Sequence, residues 1–232
     1  MSSPLLTKVA LGTLGAGTVA TGAVYLGKDL ISSNRSKAKT SIEALIERSN
    51  PEKRLISFGV GSNPSWQLAW KAYREDNRDN ERDIWNVEGW TQDKGSIGTV
   101  DAPKAFMDAC ESKLSQEVLD TTDSLYSQVV KYCTRVTLVS DLINENEEKS
   151  LLHRGDNFAN NEDWKKVWAA YKDANKDLAQ DEWNLSTWST LKEQENVPDA
   201  FVTKCEQKSK AEEYKLDQPT YLDVLKYCTK SE

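Results

Sequence analysis

The fold is decided by the stretch NPSWQLAWKAYREDNRDNERDIWNVEGW at residues 63–90, because a second version of it follows later in the chain. Residues 161–188 read NEDWKKVWAAYKDANKDLAQDEWNLSTW, and eleven of the 28 positions are identical at an offset of 98. Repetition of this length indicates that one supersecondary unit occurs twice. The sequence therefore predicts two similar bodies in series rather than one large domain.

The similarity continues toward the carboxyl terminus. Residues 102–134 match residues 197–229 at thirteen of 33 positions, now at an offset of 95, and both copies contain the run Lys-Tyr-Cys-Thr. The change of offset places a three-residue shortening of the second copy within the segment at 92–101. We predict a signal-anchor segment with a basic linker at 1–35, a first repeat at 36–134 and a second at 135–232.

Each repeat has the spacing of helices. Asn63 followed by Pro64 is typical of a helix start, with a capping side chain and proline at the first helical position. Trp66, Trp70 and Tyr73 then recur at intervals of four and three residues, which is one face of a helix. We predict further helices over 38–48 and beginning near residues 103 and 122, with one candidate strand at 54–60. The predicted fold class is all-α, with two tandem small helical bundles.

The four cysteines lie at matched places in the two repeats. Cys110 and Cys133 are 23 residues apart on two predicted helices, and Cys205 and Cys228 repeat the spacing. A helical hairpin brings such positions together, so one disulfide in each repeat is the favoured interpretation. Buried free thiols are the alternative.

The eight tryptophans divide into two classes. Trp66 and Trp70 have the regular helical spacing of core residues, as do their counterparts Trp164 and Trp168. The other four lie in a more polar stretch and are our candidates for exposed residues that contact a partner. These candidates are Trp85, Trp90, Trp183 and Trp188.

The amino terminus has the composition of a membrane segment. Residues 9–27 contain no charge and five glycines, and nineteen helical residues span a bilayer core of about 30 Å. We predict a retained membrane anchor, with a cleaved secretory signal as the alternative. Its glycines would also allow self-association of two such helices. The basic residues Lys28 to Lys39 favour a cytoplasmic body, whereas disulfides favour an extracellular one.

Several function classes have little support. The formal net charge of −7 disfavours a broad nucleic-acid interface, which needs clustered positive charge. The single histidine, His153, excludes histidine-rich metal sites, and the segment at 77–88 lacks the glycine that a calcium loop requires. The repeated carboxylates Asp83/Asp181 and Glu111/Glu206 leave a two-carboxylate hydrolase as a remote alternative. We predict no catalytic residue, no metal and no cofactor.

The chain resembles the paralogous, uncharacterised membrane-anchored proteins of haemotropic mycoplasmas. The resemblance rests on the glycine-rich stretch at 9–27, the motif Trp66-x3-Trp70-x2-Tyr73, Cys110, and the motif Tyr126-x5-Tyr132-Cys133-Thr134. It implies a surface-displayed product of a wall-less bacterium and carries no activity or site residues.

The sequence therefore predicts a non-enzymatic, single-pass membrane protein. Its tandem helical ectodomain would serve host contact or antigenic display, with a host surface protein or glycan as partner. A cytoplasm-facing, membrane-tethered scaffold is the alternative from a different class.

Overall fold

The computed structural model describes residues 38–232, and these residues fold mainly as helices. The predicted membrane anchor, with the interface predicted for its glycines, lies outside the described residues. Among residues 38–232, no helix is long and apolar enough to cross a membrane.

The first bundle consists of the elements that surround one hydrophobic core, from Ile42 to Cys133. Its elements are β1 (Thr40–Ser41), α1 (Ile42–Ser49), β2 (Lys53–Leu55), α2 (Pro64–Asn77), α3 (Lys104–Leu114), β3 (Glu117–Val118), α4 (Ser124–Cys133) and β4 (Thr134–Val136).

The second bundle surrounds a separate core, from Val139 to Cys228. Its elements are α5 (Val139–Asn144), β5 (Lys149–Leu151), a 3₁₀ turn (Phe158–Asn160), α6 (Glu162–Asn175), α7 (Trp188–Leu191), α8 (Asp199–Ser209), α9 (Pro219–Tyr227) and β6 (Thr229–Ser231).

The helix starts follow the local chemistry of the sequence. The Asn63 side chain accepts a hydrogen bond from the Ser65 N–H at 2.8 Å, and Pro64 occupies the first turn of α2. Asn161 caps α6 in the same way, accepting from the Trp164 N–H at 3.1 Å. These bonds satisfy amide groups that have no partner within the helix, so the predicted start of α2 is confirmed. The helix predicted over 38–48 begins later, at Ile42, because Thr40–Ser41 pair as a strand with β3.

The described residues are not purely helical, which corrects the all-α prediction. Six strands of two or three residues form three antiparallel pairs, β1 with β3, β2 with β4, and β5 with β6. Of the candidate strand at 54–60, only Arg54 and Leu55 lie in a strand, as the last two residues of β2. Such short strands tie together the segments that flank the helices, and they are too short to show an alternating pattern in the sequence.

The junction between the bundles contains no free linker. Thr137, the residue after β4, donates its N–H to the Glu52 carbonyl at 2.9 Å, which extends the pairing with β2. The Thr137 carbonyl accepts from the Glu213 N–H at 3.0 Å, and the Val139 N–H donates to the Ala211 carbonyl at 2.9 Å. One residue therefore ends the hydrogen bonding of the first bundle and begins that of the second.

Candidate functional site

The aromatic residues of each bundle form one packed cluster. Trp66, Trp164 and Trp168 are almost completely buried, as predicted for core residues. In the first bundle, the Phe106 ring lies 4.9 Å from Trp70 and 5.0 Å from Tyr73. The Phe201 ring makes the corresponding contacts in the second bundle, at 5.0 and 5.2 Å.

The prediction of exposed contact tryptophans is wrong for three of the four residues. Trp85, Trp183 and Trp188 are only 9%, 3% and 2% exposed. The chain turns back after α2 and α6, so the Trp85 ring packs 5.1 Å from Tyr73 and Trp183 packs 4.6 Å from Tyr171. Trp90 is half-buried, and its role in contacts stays a prediction.

A buried aspartate causes this turn in the first bundle. The Asp83 carboxylate accepts hydrogen bonds from the Tyr73 hydroxyl, from the Trp85 N–H at 3.0 Å and from the Val87 N–H at 3.0 Å. Burial, followed by the hydrogen bond and the charge of Asp83, raises the pKa of Tyr73 far above its ordinary value. Tyr73 is therefore a neutral donor at physiological pH, and the aspartate fixes the loop that carries Trp85.

The same arrangement occurs in the second bundle. Asp181 accepts from the Tyr171 hydroxyl, from the Trp183 N–H at 3.1 Å and from the Leu185 N–H at 2.9 Å. The residues that follow the two tryptophans, Asn86 and Asn184, both have φ of 53°, a left-handed conformation that asparagine tolerates. The repeated carboxylates Asp83 and Asp181 thus serve the fold, each inside its own core.

Two repeated asparagines at the ends of α2 and α6 complete the turn. The Asn77 amide donates to the Tyr73 carbonyl at 2.9 Å, and its oxygen accepts from the Ile84 N–H at 3.0 Å. Asn175 makes the corresponding bonds to the Tyr171 carbonyl and the Glu182 N–H, both at 2.9 Å.

The other candidate polar residues lie apart from this cluster. Glu111 is exposed on α3, whereas Glu206 pairs with Arg154, its Oε1 lying 3.0 Å from the arginine Nε. The His153 side chain is exposed, and its carbonyl accepts from the Trp164 indole N–H at 3.2 Å. Within residues 38–232, no group of three His, Cys, Asp or Glu side chains is placed to hold a metal ion.

The cysteine pairs lie where the sequence places them. Cys110 bonds to Cys133 with a Cα–Cα distance of 5.7 Å, and Cys205 bonds to Cys228 with a distance of 5.6 Å. The first disulfide joins α3 to the end of α4, and the second joins α8 to the end of α9. All four cysteines are buried.

A cluster of charged residues at the junction was missed by the sequence analysis. Arg54 donates to both carboxylate oxygens of Glu145, at 2.8 and 3.1 Å, and Arg135 donates to both oxygens of Asp141, at 2.6 and 2.8 Å. These residues line a cavity of about 540 Å³ between β2, β4 and α5. These four charged residues are not repeated between the two halves of the sequence, so comparison of the repeats does not find them. Charged residues near the junction that have no counterpart in the other repeat would have indicated this cluster.

The acidic residue Asp141 is held in its charged form. Burial alone would raise its pKa, but the hydrogen bonds from Arg135 and from the Leu138 N–H, with the charges of Arg135 and Arg54, keep the pKa below its ordinary value. Both bidentate arginine–carboxylate pairs join a residue before Thr137 to a residue after it, so they hold the junction together rather than leaving groups free for chemistry.

Comparisons of the chain with protein-family models, with curated proteins and with solved structures give no significant match.

Proposed function

We propose that this chain is a non-enzymatic, membrane-anchored surface protein whose tandem helical body serves host contact or antigenic display. The observation that carries the proposal is the pair of buried disulfides at corresponding places in the two bundles. Structural disulfides form and persist in oxidising surroundings and are rare in the cytosol of mesophiles. The proposed location of the body is therefore outside the cell, with residues 9–27 as its anchor.

We further propose that the two bundles arose by duplication. Asp83 and Asp181 bind the same set of donors, and the Ile42 N–H donates to the Gln116 carbonyl at 2.9 Å as the Val139 N–H donates to Ala211. The two bundles thus agree in their polar contacts as well as in the positions of their tryptophans and cysteines. This agreement supports duplication of one ancestral unit.

The proposal of a non-enzymatic role is supported by the use of the buried carboxylates. Asp83 and Asp181 direct their oxygens to backbone N–H groups and a tyrosine inside each core. A catalytic carboxylate must reach a substrate in a cleft. Display and contact place no such requirement on the fold, and they need a stable body with a polar surface.

A cytoplasm-facing scaffold is the second candidate, favoured by the basic residues Lys28, Arg35, Lys37 and Lys39 after the apolar stretch. The positive-inside rule places such residues in the cytoplasm. In that case the cysteines would be reduced, and the partner would be a cytoplasmic protein.

Thiol labelling on intact cells distinguishes the two candidates. A membrane-impermeant maleimide is applied to intact cells, and the protein is then denatured and labelled again before and after reduction. Surface proteolysis of intact cells is carried out in parallel. We expect no labelling before reduction, four labelled cysteines after it, and removal of the body by external protease. Protection from protease until lysis, with thiols that label in the denatured lysate without reduction, would overturn the extracellular assignment.

A further inference from the structure

Basic side chains occupy corresponding positions on α2 and α6. Arg74 lies in the last turn of α2 and Arg78 is the residue that directly follows this helix, and Lys172 and Lys176 take the corresponding places at the end of α6. Residues four apart share one face of a helix. Arg74 lies 5.6 Å from the centre of the Trp70 ring, and Lys172 lies 5.6 Å from the centre of the Trp168 ring.

In the first bundle, a segment of the chain itself covers these basic residues. Arg74 donates to the Asp93 carboxylate at 3.5 Å and to the Gly98 carbonyl, and Arg78 donates to the Gly95 carbonyl at 2.9 Å. Ile97 of this segment is buried. The two arginines therefore bind one carboxylate and two backbone carbonyls of a short peptide.

The loop of the second bundle is three residues shorter and covers the corresponding place only in part. Lys172 donates to the Gln194 carbonyl at 2.8 Å, whereas the Lys176 ammonium pairs at 3.0 Å with Asp173 of its own helix. Lys192 donates to the Lys176 carbonyl at 3.2 Å. The lysine pocket that results has a volume of about 350 Å³ and is lined by Lys172, Asp173, Lys176, Lys192 and Glu193.

The lysine pocket carries more positive than negative side chains, although the chain as a whole has a net charge of −7. Each ammonium has three donors, so the carbonyl and carboxylate partners described above leave further donors for a ligand. Arginine fixes one planar geometry, whereas lysine is a flexible point charge. The exchange of arginine for lysine therefore suits a pocket that accepts more than one sequence.

We propose that the lysine pocket binds an extended peptide segment of a partner protein that presents a carboxylate side chain to the lysines. A carboxylate of that segment takes the place that Asp93 takes in the first bundle, and a backbone carbonyl takes the place of Gly95, since the Gln194 carbonyl already occupies the place of Gly98. A peptide is favoured over a glycan because the covering segment of the first bundle is itself a peptide with this set of acceptors. This inference goes beyond the proposed function and holds on either side of a membrane.

The test uses the full chain and a fluorescent peptide with the sequence of residues 92–98. We expect saturable binding that is stronger for this peptide than for its D93N version and that weakens as salt rises, because the pocket is open to solvent. The triple variant K172Q/K176Q/K192Q should weaken binding about tenfold, because it removes the ammonium groups that pair with the peptide carboxylate and donate to its carbonyl.

The matched control removes the same charge elsewhere. Lys166, Lys215 and Lys230 are exposed and do not line the pocket, so K166Q/K215Q/K230Q should leave binding within about twofold. Equal loss in both triple variants, equal binding of the D93N peptide, or no saturable binding would overturn the proposal.

A loop exchange tests the pocket without removing any lysine of the helix. Residues 189–197 are replaced by residues 91–102, which should cover Lys172 and Lys176 and abolish peptide binding. The melting temperature shows whether the loop-exchange variant folds. If it does not fold, the lysine variants alone test whether the pocket binds the peptide. Binding of a sulfated oligosaccharide in the pocket without binding of the peptide would assign the pocket to glycans and overturn the peptide.

Discussion

The hydroxyl of Tyr73 donates a hydrogen bond to the buried carboxylate of Asp83, and this pair sets the course of the chain after α2. The carboxylate also accepts from the N–H groups of Trp85 and Val87. Removal of the carboxylate leaves several buried donors without partners, at about 1–3 kcal/mol for each group.

We therefore expect Asp83→Ala to lower the free energy of unfolding of the first bundle by about 3 kcal/mol or more. Asp181→Ala should do the same to the second bundle. Urea unfolding, with hydrogen exchange to assign the affected bundle, measures both effects. Asp79→Ala, at an exposed position just beyond α2, is the control, and a similar loss there would contradict the role given to Asp83.

Substitution of Trp66 or Trp168 tests whether these side chains belong to the two hydrophobic cores. We expect Trp66→Ala or Trp168→Ala to destabilise its bundle by about 3–5 kcal/mol, since each substitution leaves a cavity in a packed interior. Leu68→Ala lies on the exposed side of α2 and should change stability by less than about 0.5 kcal/mol. Thermal unfolding of the three variants makes the comparison, and an unchanged midpoint in the tryptophan variants would reject the core assignment.

Each disulfide closes a loop of 23 residues in sequence separation. The chain-entropy account gives such a bond about 3 kcal/mol of stabilisation. We expect the paired substitution Cys110→Ser with Cys133→Ser to destabilise the first bundle by about that amount, and Cys205→Ser with Cys228→Ser the second. Urea unfolding measures the free energy of unfolding of each variant. The prediction fails if a reducing agent lowers the unfolding free energy of the paired variants by as much as it lowers that of the original chain.

The two ion pairs at the junction differ in burial and should differ in strength. Arg54–Glu145 has one well-exposed partner, whereas both side chains of Arg135–Asp141 are largely covered. Exposed pairs contribute about 0–1 kcal/mol, so we expect a double-mutant cycle to give the larger coupling energy for Arg135–Asp141. A larger value for Arg54–Glu145 would show that burial does not set their order.

Acid should weaken the junction through Asp141. Its pKa in the folded chain is lowered, so its contribution to stability is complete above the unfolded value near pH 4 and is lost as the pH falls through the folded value. The difference in unfolding free energy between the original chain and Asp141→Asn should therefore shrink below about pH 4. Glu147→Gln, at an exposed position on the same side of the junction, serves as the control, and a difference that does not depend on pH would contradict this origin.

Sequence reasoning found the features that depend on repetition and helical period. The starts of α2 and α6, the buried stripe from Trp66 to Tyr73 and the cysteine spacing all follow from local chemistry or from the matched halves. Trp85, Trp183 and Trp188 were placed wrongly because neighbouring residues suggested exposure, whereas the bonds of Tyr73 to Asp83 and of Tyr171 to Asp181 turn each stretch inward. The short strands and the Arg54–Glu145 pair depend on contacts between residues far apart in the sequence, which no local pattern records.

The hydrogen bonds on both sides of Thr137 have a consequence for recognition by bivalent molecules. Because the two bundles share a residue and have no flexible joint between them, matching surfaces on the two bundles keep one separation. A bivalent binder whose two binding sites fit that spacing makes its second contact without an entropic cost for fixing the two bundles relative to each other. A bivalent binder whose sites cannot span that distance makes only one contact. The avidity of an antibody or receptor for this chain is therefore set by the hydrogen bonds and ion pairs at the junction around Thr137.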